Sequence, residues 1–204
     1  VKTGLLADPF RPIIKGRPSG SAYSARFCGV DQSAVFTKTW YDRSITPNCS
    51  GCRVEPIDAE MLIDGSRVHL GDTIGGHDGF AVDRYDTVKK KAHWTRHHTV
   101  SGKGIRALGI GTLSDARTVV VGQIGSVNGP YGDGFAALLE ENGTLKWQQA
   151  YKDSEPWVLV DAVQAQGGRV VVGGWRQVNA TVKRRLLAGL ELDGKVAWTV
   201  VIKS

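Results

Sequence analysis

The chain has 204 residues, 41% hydrophobic and 23% charged, a balance that suits one sizeable folded domain or two small ones. Lys and Arg exceed Asp and Glu by six (26 minus 20), yet the basic residues are scattered apart from Lys89-Lys90-Lys91 and Lys183-Arg184-Arg185. Those runs read as solvated turns, with contact to an acidic surface or polysaccharide as the sharper alternative. No aromatic residues interleave with them as a nucleic-acid platform requires, and no run of eighteen apolar residues is present to span a membrane.

Glycine is abundant, at 26 residues, among many Val, Thr and Trp, a mixture that favours short strands and tight turns. In chain order the strands fall into four units, each read as A, B, C and D. The first, about 1–41, has a trimmed A at Gly4-Leu-Leu-Ala7, B at Arg11–Gly16, C at Ser21–Phe27 and D at Ala34–Trp40. The second, about 54–98, runs Val54–Ile63, Arg67–Gly71, Asp78–Tyr85 and Lys91–Trp94. The third, about 105–151, runs Ile105–Leu113, Thr118–Gly122, Asp133–Leu139 and Leu145–Trp147. The fourth, about 157–203, runs Trp157–Gln164, Arg169–Gly173, Leu186–Leu192 and Val196–Trp198.

Two markers carry this division. Trp40, Trp94, Trp147 and Trp198 recur at intervals of 54, 53 and 51, and the B runs close on Gly16, Gly71, Gly122 and Gly173. Asp64-Gly65 and Gly167-Gly168 separate A from B, while Asn142-Gly143 and Asp193-Gly194 separate C from D. Such dipeptides supply the positive φ of two-residue hairpins. The continuous run Val170-Val171-Val172 suits a strand covered on both faces. Four-stranded antiparallel sheets stacked face to face bury those faces and leave only short edges, which is the architecture of a β-propeller. The recurring Trp then fills one inter-sheet slot per unit.

Residues Gly75-Gly76-His77-Asp78-Gly79-Phe80-Ala81-Val82, followed by a turn, a Trp strand, an apolar A strand and a Val-Val-Val-Gly strand, resemble the SBBP type of β-propeller repeat. Asn142-Gly-Thr-Leu-Lys-Trp147 and Asp193-Gly-Lys-Val-Ala-Trp198 are similar to blades of quinoprotein-like propellers. The resemblance implies an all-β single domain over 1–204, with four blades closing a ring or forming part of a larger ring that another chain or further sequence completes. It also implies an exported, extracytoplasmic protein at the cell surface, in the periplasm or secreted.

The long B–C and D–A connections leave one end of such a sheet, and binding residues favour long loops on a rigid scaffold. The candidate ligand-binding residues on that end are Arg17, His77, Asp78, His97, His98, Tyr131, Asp133, Trp175 and Arg176. Asp78 and Asp133 precede Gly-Phe and read as turn caps, with calcium as the alternative. His97 and His98 are neighbours on a strand and point oppositely, so one metal ion between them needs ligands from elsewhere. Trp175 breaks the repeat and is a candidate to stack on a sugar or anchor a protein. Cys49-Ser-Gly-Cys52 reads as a local disulfide, with free thiols or metal as alternatives; the state of Cys28 stays open. No hydrolase, zincin, nucleotide or dinucleotide motif occurs in a fitting context.

The expected function is a non-enzymatic binding or scaffolding module that meets a protein or glycan on the long-loop face, with no catalytic residue, metal or cofactor assigned. The alternatives are a subunit or fragment of a quinoprotein-like redox enzyme, with calcium or a quinone cofactor, and a glycan-binding lectin.

Overall fold

The computed structural model describes residues 53–62, 64–74, 79–100, 103–125, 132–165, 167–179 and 181–202. They form twelve strands and, among the described residues, no helix: β1 Arg53–Met61, β2 Arg67–Ile74, β3 Gly79–Asp86, β4 Lys91–Thr99, β5 Gly104–Thr112, β6 Thr118–Gly125, β7 Asp133–Leu139, β8 Leu145–Tyr151, β9 Trp157–Gln164, β10 Val170–Gln177, β11 Lys183–Leu190 and β12 Val196–Ile202. These make three antiparallel four-stranded sheets, each in chain order: β1–β4, β5–β8 and β9–β12. Where the sequence leads one to expect four blades, three sheets are described. The expected first unit, about 1–41, lies outside the described residues.

The sheets stack through two apolar cores. Val68, Leu70, Phe80 and Val82 of the first sheet meet Ile110, Val120, Phe135, Ala137 and Leu139 of the second. The opposite face of the second sheet, with Val119, Val121, Ala136 and Leu138, meets Leu159, Val172, Leu186, Ala188 and Leu190 of the third. Thus Val119, Val120 and Val121 are all fully buried, as a strand covered on both faces requires. The same expectation fails for β10, where Val170 and Val172 are buried but Val171 is only half-buried. Val171 lies on the outward face of the third sheet, which no fourth sheet covers among the described residues.

Strand pairing corrects two equivalences read from the sequence. Gly71 pairs with Pro56 and Gly122 with Ala107, each next to a bulge in the A strand, whereas the residue in that place in the third sheet is Gly174, opposite Leu159. A Cβ at Gly122 would run into the Arg106 carbonyl and one at Gly174 into the Val158 carbonyl, while one at Gly173 would make ordinary contact with Leu187. The same bulge lies at the matching place in all three A strands, so the offset is one of register: Val170, not Arg169, stands in the place of Thr118, a detail invisible in the string Val-Val-Val-Gly-Gly. Likewise Gly71 pairs with Ala81 but Gly122 with Phe135. Phe80 and Phe135 therefore are not equivalent. They enter the first core from opposite sheets, with ring centroids 5.9 Å apart.

The three described tryptophans are equivalent. Trp94, Trp147 and Trp198 each follow a bulge and pair with Arg84, Leu138 and Gly189 at matching C-strand positions. Trp94 Nε1–H donates to the Glu141 carbonyl of the next sheet at 2.9 Å, and Trp147 Nε1–H donates to the Leu192 carbonyl at 2.8 Å. Both acceptors lie in C–D turns. Those turns are three-residue loops rather than two-residue ones: Gly143 N bonds Glu140 O, Glu140 N bonds Thr144 O, and only the glycine has positive φ, +79° at Gly143 and +87° at Gly194. A side chain at Gly143 would strike the Trp94 ring, and one at Gly194 would press on Trp147 and Gln149. The turn glycine is thus demanded twice, by backbone conformation and by the indole above it.

At the first seam Arg84 adds a clamp, bonding Asp64 at 2.7 Å and Glu141 at 3.0 Å. The Ser66 hydroxyl and amide, and then Arg84, hold the Asp64 carboxyl down to about 2. The A strands approach one another on the far side of the sheets: Asp58 accepts from Ile110 N at 3.4 Å, Glu60 accepts from Thr112 N, and Gly109 and Gly111 leave room for the backbone of β9.

Two outcomes follow for urea unfolding. Gly174→Ala is expected to cost about 3 kcal/mol through overpacking, and Gly173→Ala to stay within about 0.5 kcal/mol. Gly143→Ala is expected to cost less in a Trp94→Ala background, where the left-handed backbone, about 1 kcal/mol, and the flexible Arg96 side chain are what remain, than in the natural chain; additive effects in that double-mutant cycle would refute the contact.

Candidate functional site

The described candidates divide between a seam and an end of the third sheet. His98 belongs to the seam. Side chains on one face of the D strands of the first two sheets meet the following C–D turn: Trp147, Gln149 and Tyr151 donate to the successive carbonyls of Leu192, Asp193 and Gly194 at 2.8, 3.2 and 2.8 Å. Trp94, Arg96 and His98 hold the matching places in the first sheet. Trp94 bonds Glu141, Arg96 lies against Gly143, and the His98 ring sits 5.1 Å from Phe80 with the Gly143 backbone as its polar neighbour. Burial lowers the His98 pKa from its ordinary value of 6.5, helped by the charges of His97 and Arg96 and opposed by Gly143. His98 therefore packs against the seam. His97 pairs with Ala81 on the opposite face of β4, as strand alternation requires. Among the described residues, no group of three or more His, Cys, Asp or Glu is placed to hold a metal ion.

The end of the third sheet gathers Trp175 and Arg176 with residues that the sequence did not single out. Arg176 is tied down twice: its guanidinium lies 5.6 Å from the Trp157 ring centroid and pairs with Asp153. Trp157 in turn stacks on Tyr151 at 6.0 Å with 14° between the planes. Burial pushes the Tyr151 hydroxyl well above its ordinary range, keeping it a donor to the Gly194 carbonyl. Arg184 bonds Glu155 at 3.3 Å on the same side as Arg176.

Trp175 is on the other side, paired with Arg185. It is half-buried, and the Lys183 ammonium lies 4.7 Å from its ring centroid. One ring face is thereby occupied. Lys183 and Arg185 are exposed, and neither makes an ion pair with a described residue. The run Lys183-Arg184-Arg185 is thus the first part of strand β11, not a turn, whereas Lys89 and Lys90 do occupy the exposed β3–β4 turn.

Asp133 does not cap a turn among the described residues. It is the first residue of β7, and its carboxylate faces Lys152 Nζ at 3.7 Å. Arg17, His77, Asp78 and Tyr131 lie outside the described residues, as do Cys28, Cys49 and Cys52.

An open cleft of about 540 Å³ lies at the first seam among Arg84, His93, Trp94, Glu140, Glu141 and Asn142. Its polar groups are already engaged: Arg84 with Asp64 and Glu141, and Glu140 with Lys146 at 2.9 Å. No protein-family model matches the chain, and no curated protein sequence matches it either.

The depressed pKa of His98 has a consequence for stability. Protonation favours the unfolded chain, so this residue's contribution is fully present above about pH 6.5 and is lost as the pH falls below that value through the folded pKa. His98→Gln is expected to flatten the acid side of the urea-midpoint profile between about pH 7.5 and 5; an unchanged slope would refute it.

Proposed function

We propose that the chain is a non-enzymatic binding or scaffolding module of an exported protein, built from β-propeller-type repeats, and that it meets a protein partner at the end where the B–C and D–A connections emerge. The observation that carries this reading is the ledge on the third sheet, where Trp175, Lys183 and Arg185 project from paired strands β10 and β11. Strands hold these groups in register at little entropic cost to a partner, and an indole beside cations that make no ion pair with a described residue suits a protein surface that combines an apolar patch with carboxylates. The propeller reading draws support from three antiparallel sheets joined by one repeated seam, in which each Trp grips the next C–D turn.

The same geometry favours a protein over stacked sugar. Carbohydrate stacking uses an open indole face, and Lys183 takes one face of Trp175. The cationic ledge nevertheless leaves an acidic glycan as the second reading.

A polyglutamate peptide and an uncharged oligosaccharide separate these readings. The natural chain is expected to bind polyglutamate at low salt, and Lys183→Glu with Arg185→Glu is expected to weaken that binding at least about tenfold, ~1.4 kcal/mol. Binding of the oligosaccharide that survives the double change would favour the lectin. Reproducible turnover of a small substrate by the purified chain would remove the proposal.

A further inference from the structure

We infer that the Asn142-Gly143 turn is a self-modification site, at which Asn142 converts to aspartyl and isoaspartyl forms through a cyclic imide, and that the grip of Trp94 on the turn decides when this happens. The inference does not depend on the binding surface argued above.

The sequence supplies the reactants. Asn142 is followed by glycine, whose backbone nitrogen has no side chain to shield it. Asn142 is exposed and Gly143 is buried. In the reaction Gly143 N gives up its proton to hydroxide and attacks Asn142 Cγ. The Cγ–Nδ2 bond breaks and ammonia leaves. Water then opens the five-membered ring. Addition at Cγ restores the ordinary backbone with an aspartate side chain. Addition at the backbone carbonyl carbon of residue 142 instead routes the main chain through Cγ, which is the isoaspartyl form. Water is the only co-reactant.

Three features of the turn govern this chemistry. The carbonyl is primed: Asn142 Oδ1 accepts from Thr144 N at 3.0 Å and from Thr144 Oγ1 at 2.7 Å, so two donors already face the oxygen on which negative charge grows during the attack. The nucleophile is held back: Gly143 N–H donates to the Glu140 carbonyl at 2.8 Å. Its nitrogen can attack only from a face of the planar peptide, so the peptide must turn towards Cγ. That turn is obstructed by the neighbouring sheet. A Cβ on Gly143 would lie 2.7 Å from two carbons of the Trp94 ring, and Trp94 Nε1–H fixes the Glu141 carbonyl at 2.9 Å. The peptide is released when the indole lifts, a local opening of the seam that needs no global unfolding.

The second seam shows which product the turn can hold. Asp193-Gly194 occupies the same place under Trp147, and Asp193 Oδ1 accepts from Lys195 N at 3.0 Å as Asn142 does from Thr144 N. An aspartyl residue therefore fits. An isoaspartyl residue adds one atom to the main chain of a three-residue loop that Glu140 N and Thr144 O close at 2.9 Å, so it displaces the glycine from beneath the indole.

The test maps the products at residue 142 by mass spectrometry, in the full chain and in a synthetic peptide of residues 140–146, both held in mildly alkaline buffer. The natural chain is expected to convert at least roughly tenfold more slowly than the peptide, and Trp94→Ala to raise the rate in the chain at least roughly tenfold. Trp147→Ala, which removes the equivalent indole at the second seam, is expected to leave the rate at Asn142 unchanged. A natural chain that converts as fast as the peptide would overturn the inference, as would a rate that Trp94→Ala does not change. Equal acceleration by Trp147→Ala and Trp94→Ala would also overturn it, because protection would then come from global stability and not from the indole above the turn.

Discussion

The architecture turns on one contact: an indole N–H of one sheet donating to a carbonyl in the C–D turn of the next, above a glycine that has no side chain to obstruct it. Each sheet alone has two apolar faces and cannot be stable in water. The indole fixes where the next sheet lands, and the glycine lets it land close. Gln149 and Tyr151 extend the grip to the next two carbonyls, so the turn is held through three successive backbone acceptors. Hydrogen bonds of this kind contribute little net energy singly, but at the second seam they pair three successive turn carbonyls, which discriminates one register of stacking from its neighbours.

The A strands supply a matching constraint on the far side. At the first seam buried Asp58 and Glu60 accept from backbone N–H groups of β5, and at the second Gly109 and Gly111 admit β9 directly. Two chemically different solutions thus hold the A strands near each other. The D-strand contact is conserved in form across both seams, while the A-strand contact is not, and this explains why the Trp and the turn glycine stand out as a repeat when the A strands do not.

Against this rigid frame the candidate residues take different parts. His98 is spent on the frame itself, and Arg176 is locked between Trp157 and Asp153. Trp175, Lys183 and Arg185 are not needed by the frame, because their strand pairing is complete without them and their charged groups face outward. The outward face of the third sheet departs from the repeat in the same sense: where the earlier D strands carry hydrogen-bond donors, β12 carries aliphatic side chains.

Period and turn chemistry in the sequence were enough to determine the all-β class, the four-stranded unit and the equivalence of Trp94, Trp147 and Trp198, since these rest on local spacing and on residues that few alternatives can replace. Tertiary structure alone decided that Gly174 rather than Gly173 closes its strand, that Phe80 and Phe135 oppose each other, and that His98 reaches into a seam. The reason is physical. Similar strings can sit one residue apart in register, and only pairing with the neighbouring strands decides which face and which neighbour each residue meets.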